Sequence, residues 1–203
     1  ITPTFTPTLT ITPTITPTFT PTQTPSVTPS PTVTPTFEQC PSNPTGSIYF
    51  NGSSSYIEVE PKSYWAVGRK DFTVEWYQYQ TEFGGVQQSI FVVGPMTGER
   101  NFGVRLLAND LQVYMNNNYV GSGTLTNVIN KWVHLAISHH DDRLCIFQDG
   151  VIVNRFILNE NFNVTDNTNT MRIGGNANSL IGEYFSGYIT NFHFVNGLGL
   201  YDG

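Results

Sequence analysis

Hydroxyl groups are the most regularly spaced chemistry in this chain of 203 residues. From Thr2 to Thr36 every even position is Thr or Ser. A period of two puts every one of those hydroxyls on one face of an extended chain. Dense threonine beside proline suits O-linked glycosylation. The candidate acceptors are Thr2, Thr4, Thr6, Thr8, Thr10, Thr12, Thr14, Thr16, Thr18, Thr20, Thr22, Thr24, Thr28, Thr32, Thr34 and Thr36. Two triplets, Asn51-Gly52-Ser53 and Asn163-Val164-Thr165, fit the N-glycosylation pattern, while Asn43 is excluded by Pro44.

Thiols, imidazoles and carboxylates are sparser. Cys40 sits where the repeat ends, and Cys145 lies inside an expected strand. They either pair in an oxidising compartment, clamping the base of the tail, or are unrelated thiols with Cys145 in the core. The histidines form no zinc or catalytic set: His134 alternates with Trp132 and Ala136, His193 lies between Phe192 and Phe194, and His139-His140 is expected in a turn. Glu58 and Glu60 alternate on one strand, and Glu75 is flanked by Thr73 and Tyr77. These read as ordinary wet strand faces. Tyr77, Tyr79, Tyr114 and Tyr119 offer ring faces for sugar stacking, or are simply strand residues with one solvated side.

The element that positions the hydroxyls is a Thr/Pro repeat tail, residues 1–37. Its odd positions alternate proline with Ile1, Phe5, Leu9, Ile11, Ile15 and Phe19, and later with Gln23, Val27 and Val33. Polyproline II, at three residues per turn, would scatter the two sets, so a β-like strand fits better. Every proline is odd, so one strand edge lacks about half its N–H donors while the Thr/Ser edge keeps them all. A free strand with one intact edge suits β-augmentation. Residues 1–20 are expected to dock through Ile1, Phe5, Leu9, Ile11, Ile15 and Phe19, and 21–37 to span. A glycosylated, mucin-like stalk is the alternative reading of the same tract.

Residues 38–46 read as a linker and 47–203 as one domain of ordinary size. Charged residues make up 12% of the chain, the net charge is -6, and the nine Lys and Arg form no cluster, which argues against a nucleic-acid partner. No apolar run is long enough to span a membrane. Strand-like runs recur between Asn51-Gly52, Gly84-Gly85, Asn109-Asp110, Asp149-Gly150, Gly174-Gly175 and Asn196-Gly197, and Asp149-Gly150 marks a two-residue hairpin. No window sustains helical periodicity beyond a turn around Pro61–Val67. Many short strands predict an all-β, two-sheet antiparallel jelly-roll sandwich, with the three tryptophans between the sheets.

Four segments in order resemble concanavalin A-like, laminin-G-type domains. These are Tyr49-Phe50-Asn51-Gly52 with Tyr56-Ile57-Glu58-Val59; Asp71-Phe72-Thr73-Val74-Glu75-Trp76; Lys131-Trp132-Val133-His134-Leu135-Ala136 with Leu144-Cys145-Ile146-Phe147-Gln148-Asp149-Gly150; and Met171-Arg172-Ile173-Gly174-Gly175 with Phe185-Ser186-Gly187-Tyr188-Ile189-Thr190-Asn191-Phe192. The tail lies outside the resemblance. Glucanases of that superfamily carry a Glu-x-Asp-x-x-Glu run, which places an acid and a nucleophile across one glycosidic bond. No such run occurs here, so an enzyme is not expected. The resemblance also admits calcium at a sandwich edge. Oxygen donors occur at Asp141-Asp142, Asp166-Asn167 and Asn109-Asp110, but no spacing selects a ligand set, and no cofactor is assigned.

The first expectation is a structural protomer of an extracellular or virion-surface fibre, joined to copies of itself by strand donation from the tail, head to tail. The second is a lectin-like head that holds a saccharide, carried on a glycosylated stalk.

Overall fold

Strict alternation along Phe72–Gln80 builds the centre of the domain. Phe72, Val74, Trp76, Gln78 and Gln80 turn inward and are fully buried, whereas Glu75, Tyr77 and Tyr79 on the opposite face are partly exposed. The computed structural model describes residues 46–83, 87–94, 101–158, 170–176 and 182–202. Their strands, in chain order, are β1 (Ile48–Asn51), β2 (Ile57–Val59), β3 (Phe72–Gln80), β4 (Gln88–Val93), β5 (Phe102–Leu107), β6 (Asp110–Met115), β7 (Asn118–Thr124), β8 (Trp132–His140), β9 (Arg143–Gln148), β10 (Val151–Ile157), β11 (Met171–Ile173), β12 (Gly175–Asn176), β13 (Glu183–Tyr184) and β14 (Ser186–Asn196). The helical turn expected around Pro61–Val67 is a 3₁₀ turn at Ser63–Trp65.

Two six-stranded antiparallel sheets form the sandwich. Sheet A runs β1-β14-β3-β8-β9-β10 and sheet B runs β2-β11-β4-β5-β6-β7. Trp76, Phe72, Leu135, Ile137, Leu144 and Ile146 of sheet A meet Phe91, Phe102, Val104, Leu111 and Val113 of sheet B in one continuous core. Phe102 packs edge-on against both Phe72 and Phe91, at centroid distances of 5.1 Å each. The buried indole of Trp76 donates from Nε1 to Gln78 Oε1 at 3.0 Å, which satisfies its polar atom inside the apolar layer.

Three readings of the sequence need correction. β7 was not expected, because Gly121 and Gly123 depress its strand propensity. Asn116 and Asn117 both take positive φ (47° and 62°), which builds the tight β6–β7 hairpin. A Cβ on Gly121 would sit 2.8 Å from the Phe156 ring, and one on Gly123 2.9 Å from Val153, so these glycines let β7 close against β10. His139 and His140 end β8 rather than forming a turn. His139 stacks on Phe72 at 5.5 Å, and burial lowers its pKa. Trp132 faces outward from β8 and does not pack between the sheets.

Gly187 sets how closely β14 approaches β3. Its φ is +140°, and a Cβ there would lie 2.1 Å from the Tyr79 carbonyl oxygen. Gly187→Ala is therefore expected to destabilise the domain by roughly 1–3 kcal/mol. A shift of the urea midpoint measures it, and an unchanged midpoint would show that the pairing tolerates a side chain.

Candidate functional site

The outward residues of sheet A form an aromatic row. Register pairs Tyr49 with Tyr188, Tyr188 with Tyr79, and Tyr79 with Trp132, so four rings sit side by side on β1, β14, β3 and β8. Successive centroids are 5.0, 6.1 and 5.8 Å apart, with the rings tilted by 48°, 80° and 60°. At ~4.8 Å between strands the row spans roughly 14 Å. Tyr49 is 55% exposed and Tyr188 37% exposed, so ring faces reach solvent.

Polar groups flank the row. One step along the strands, Thr190, Tyr77 and His134 are paired across β14, β3 and β8, with Tyr77 and His134 in ring contact at 4.8 Å. On the next outward rung Glu75 lies between two imidazoles. His134 Nε2 is 3.2 Å from Glu75 Oε2 and His193 Nδ1 is 3.3 Å from Oε1. Tyr201 donates its hydroxyl to Oε2. The C-terminal segment that brings Tyr201 here is tied down by Leu200 N–H to Thr73 Oγ1 (2.8 Å) and Tyr201 N–H to Ser138 Oγ (3.2 Å). The His134 hydrogen bond, helped by those of Tyr201 and His193, lowers the Glu75 pKa from 4.5 to about 2, against the opposing effect of burial. Glu75 is thus a fixed carboxylate beside the rings, not the ordinary wet strand residue expected.

Aromatic faces next to a carboxylate, imidazoles and a hydroxyl suit a ligand with an apolar face and a hydroxylated rim, which describes a saccharide. Of the four tyrosines singled out in the sequence, Tyr77 and Tyr79 belong to this face. Tyr114 and Tyr119 lie on sheet B, 5.7 Å apart, with the Arg105 guanidinium 4.4 Å above the Tyr114 ring. Arg105 is held there by Gln112 at 2.9 Å and Glu183 at 3.2 Å. Tyr49, Trp132 and Tyr188 were not expected in a site, because only cross-strand register brings them into line.

The remaining candidates fall elsewhere. Asn51 is exposed, and its Oδ1 accepts the N–H groups of Ser53, Ser54 and Ser55 at 2.9–3.1 Å, so it shapes its own loop. Cys145 is a buried thiol on the outer side of sheet A against Ala136 and Phe147, and burial raises its pKa. Cys40, Asn163, Asp166, Asn167 and every tail residue lie outside the described residues.

A family model described as the concanavalin A-like lectin/glucanases superfamily matches residues 50–198. The chain belongs to this superfamily. A search of curated proteins finds no match. Among solved structures it is similar to the native heptameric SAP-like pentraxin of Limulus polyphemus, with 15% identity, a TM-score of 0.56, and 73% of this chain and 74% of that one covered. It also resembles mouse laminin alpha1 domains LG4-5, with 17% identity, a TM-score of 0.57, and 76% and 42% covered. A third likeness is the ligand binding domain of botulinum neurotoxin serotype D, solved with N-acetylneuraminic acid, with 13% identity, a TM-score of 0.59, and 75% and 39% covered. The chain spans about two fifths of the laminin and toxin chains. At these identities the likeness is one of fold.

Glu58 is engaged by Arg172, whose Nε donates to its Oε2 at 3.0 Å. Asp110 accepts from Thr124 at 2.7 Å, and Asp141 N–H donates to Asp71. The Glu58 and Asp110 carboxylates are thus engaged by separate partners. Among the described residues no three His, Cys, Asp or Glu side chains are grouped to hold a metal ion. No helix among them is long and apolar enough to cross a membrane.

Because its folded pKa lies below its ordinary value, ionised Glu75 stabilises the fold above pH 4.5, and this is lost as pH falls through about 2. Glu75→Gln should lower stability at neutral pH by about 1–3 kcal/mol and flatten the pH dependence in that window. Urea midpoints between pH 2 and 7 test it; parallel curves for the two proteins would refute it.

Proposed function

We propose that the domain is a saccharide-binding head carried on an O-glycosylated Thr/Pro tail, in an extracellular or virion-surface setting. The supporting observation is the row Tyr49–Tyr188–Tyr79–Trp132, whose partly exposed rings are spaced 5.0–6.1 Å apart. A row of roughly 14 Å matches a short oligosaccharide better than one sugar ring. Glu75, Thr190 and His193 supply hydroxyl partners at its flank. The reading is one of binding without turnover, since Glu58 is tied to Arg172 and Glu75 is held as a carboxylate by three neighbours.

A second reading is favoured by the tail's period of two together with the outer edges of β1 and β2, which no strand among the described residues pairs. In it the chain is a fibre protomer, and residues 1–20 of one copy add a strand to the next. Head-to-tail donation does not close on itself, so it yields an open filament.

Glycan-array screening of the full chain, followed by calorimetry on the hits, tests the first reading. Tyr79→Ala and Trp132→Ala should each weaken binding by about tenfold, whereas Tyr114→Ala on the other sheet should not. A blank array with a folded head would overturn it. For the second reading, Phe5→Asp combined with Phe19→Asp should abolish polymers seen by light scattering and electron microscopy while the thermal transition of the sandwich stays in place.

A further inference from the structure

Opposite the β7/β10 closure, the sandwich gapes. The edge strands β1 and β2 belong to opposing sheets, and between them lies an open apolar groove of ≈ 250 Å³. Its lining includes Ile48, Phe50, Ile57, Ile173, Ile189 and Phe192. Ile48 at the lip is 51% exposed, while Phe50, Ile173 and Ile189 form a buried floor. The volume exceeds the ~150 Å³ that accommodates a benzene ring in an engineered apolar cavity. Gly46 and Ser47 line the same groove, and Thr190 donates its hydroxyl to the Gly46 carbonyl. Gly46 and Ser47 thus lie at the groove's lip.

We propose that this groove is the acceptor for residues 1–20 of a second copy, with side chains such as Phe5 or Phe19 seated between the sheets. The proposal rests on the fibre reading and names its acceptor. Three observations select this occupant. The groove is apolar, and residues 1–37 carry no charge. Every large apolar residue of 1–20 is at an odd position, so an extended strand turns all of them to one side and leaves the N–H groups of its even residues for a sheet edge. The outer edges of β1 and β2, which no strand among the described residues pairs, flank the groove and can receive those bonds. Reach admits a neighbour as the donor. Residues 21–45 contain Pro21, Pro25, Pro29, Pro31, Pro35, Pro41 and Pro44. Fully extended, a spacer of that length reaches at most roughly 80 Å at ~3.3 Å per residue. A domain of this size has a radius of gyration of only about 15 Å. A spacer of that length can bridge from one domain to the groove of the next.

Complementation between full-length chains tests this. One variant loses the donor (Phe5→Asp with Phe19→Asp), and the other loses the acceptor (Ile48→Lys with Ile57→Lys). Each alone should be monomeric by light scattering, and an equimolar mixture should give dimers, doubling the mass without further growth. Excess synthetic peptide of residues 1–20 should shorten wild-type polymers, a readout independent of whether the groove variant folds. Polymers formed by a folded groove variant would overturn the groove as acceptor while leaving the fibre reading intact. A wild-type chain that stays monomeric at every concentration would overturn both. A monomeric wild type that also expands in hydrodynamic radius on groove mutation would show that the tail occupies its own groove, contrary to the proposal.

Discussion

The register of β3 with β8 on one side and β14 on the other governs both faces of sheet A. With Trp76 opposite Leu135 and Tyr79 opposite Trp132, the inward set closes the core and the outward set lines up the rings. A slip of one residue would exchange the faces, exposing Trp76 and burying Glu75. Burial of Phe72, Val74 and Trp76 therefore fixes the position of Tyr77, Tyr79 and Glu75 without any contact of theirs having to do so. The candidate site is held by the core beneath it.

That coupling explains why so polar a cluster can sit on a sheet. Glu75 is held at low pKa by groups from three places, namely β8, β14 and the C-terminal segment, and each is pinned independently. The β14 irregularity between Thr190 and His193 turns His193 to the outer side while Phe192 and Phe194 stay against the core. The C-terminal segment is fastened through Thr73 and Ser138, which lie opposite each other on β3 and β8. Preorganisation of this kind lowers the ordering cost of binding a flexible, hydroxyl-rich ligand.

The two open sides of the sandwich are managed differently. At β7 and β10, glycines in one strand admit Phe156 and Val153 from the other, so the edges meet. At β1 and β2 the edges stay apart over an apolar floor, beside Gly46 and Ser47. Edge strands are natural sites of pairing, and most folds blunt them.

Strand alternation and turn residues alone made the sandwich legible. Val133, Leu135 and Ile137 announced an inner face, and Asp149-Gly150 announced the β9–β10 hairpin with positive φ at both residues. β7 escaped because its glycines are needed for packing against a strand distant in sequence, which no local propensity records. The aromatic row and the Glu75 cluster escaped for the same reason: their members lie up to 139 positions apart, from Tyr49 to Tyr188, and only sheet order makes them neighbours. Local periodicity determined which side of each strand is apolar. Tertiary structure decided which strands stand next to each other, because that choice rests on the summed packing of two whole sheets.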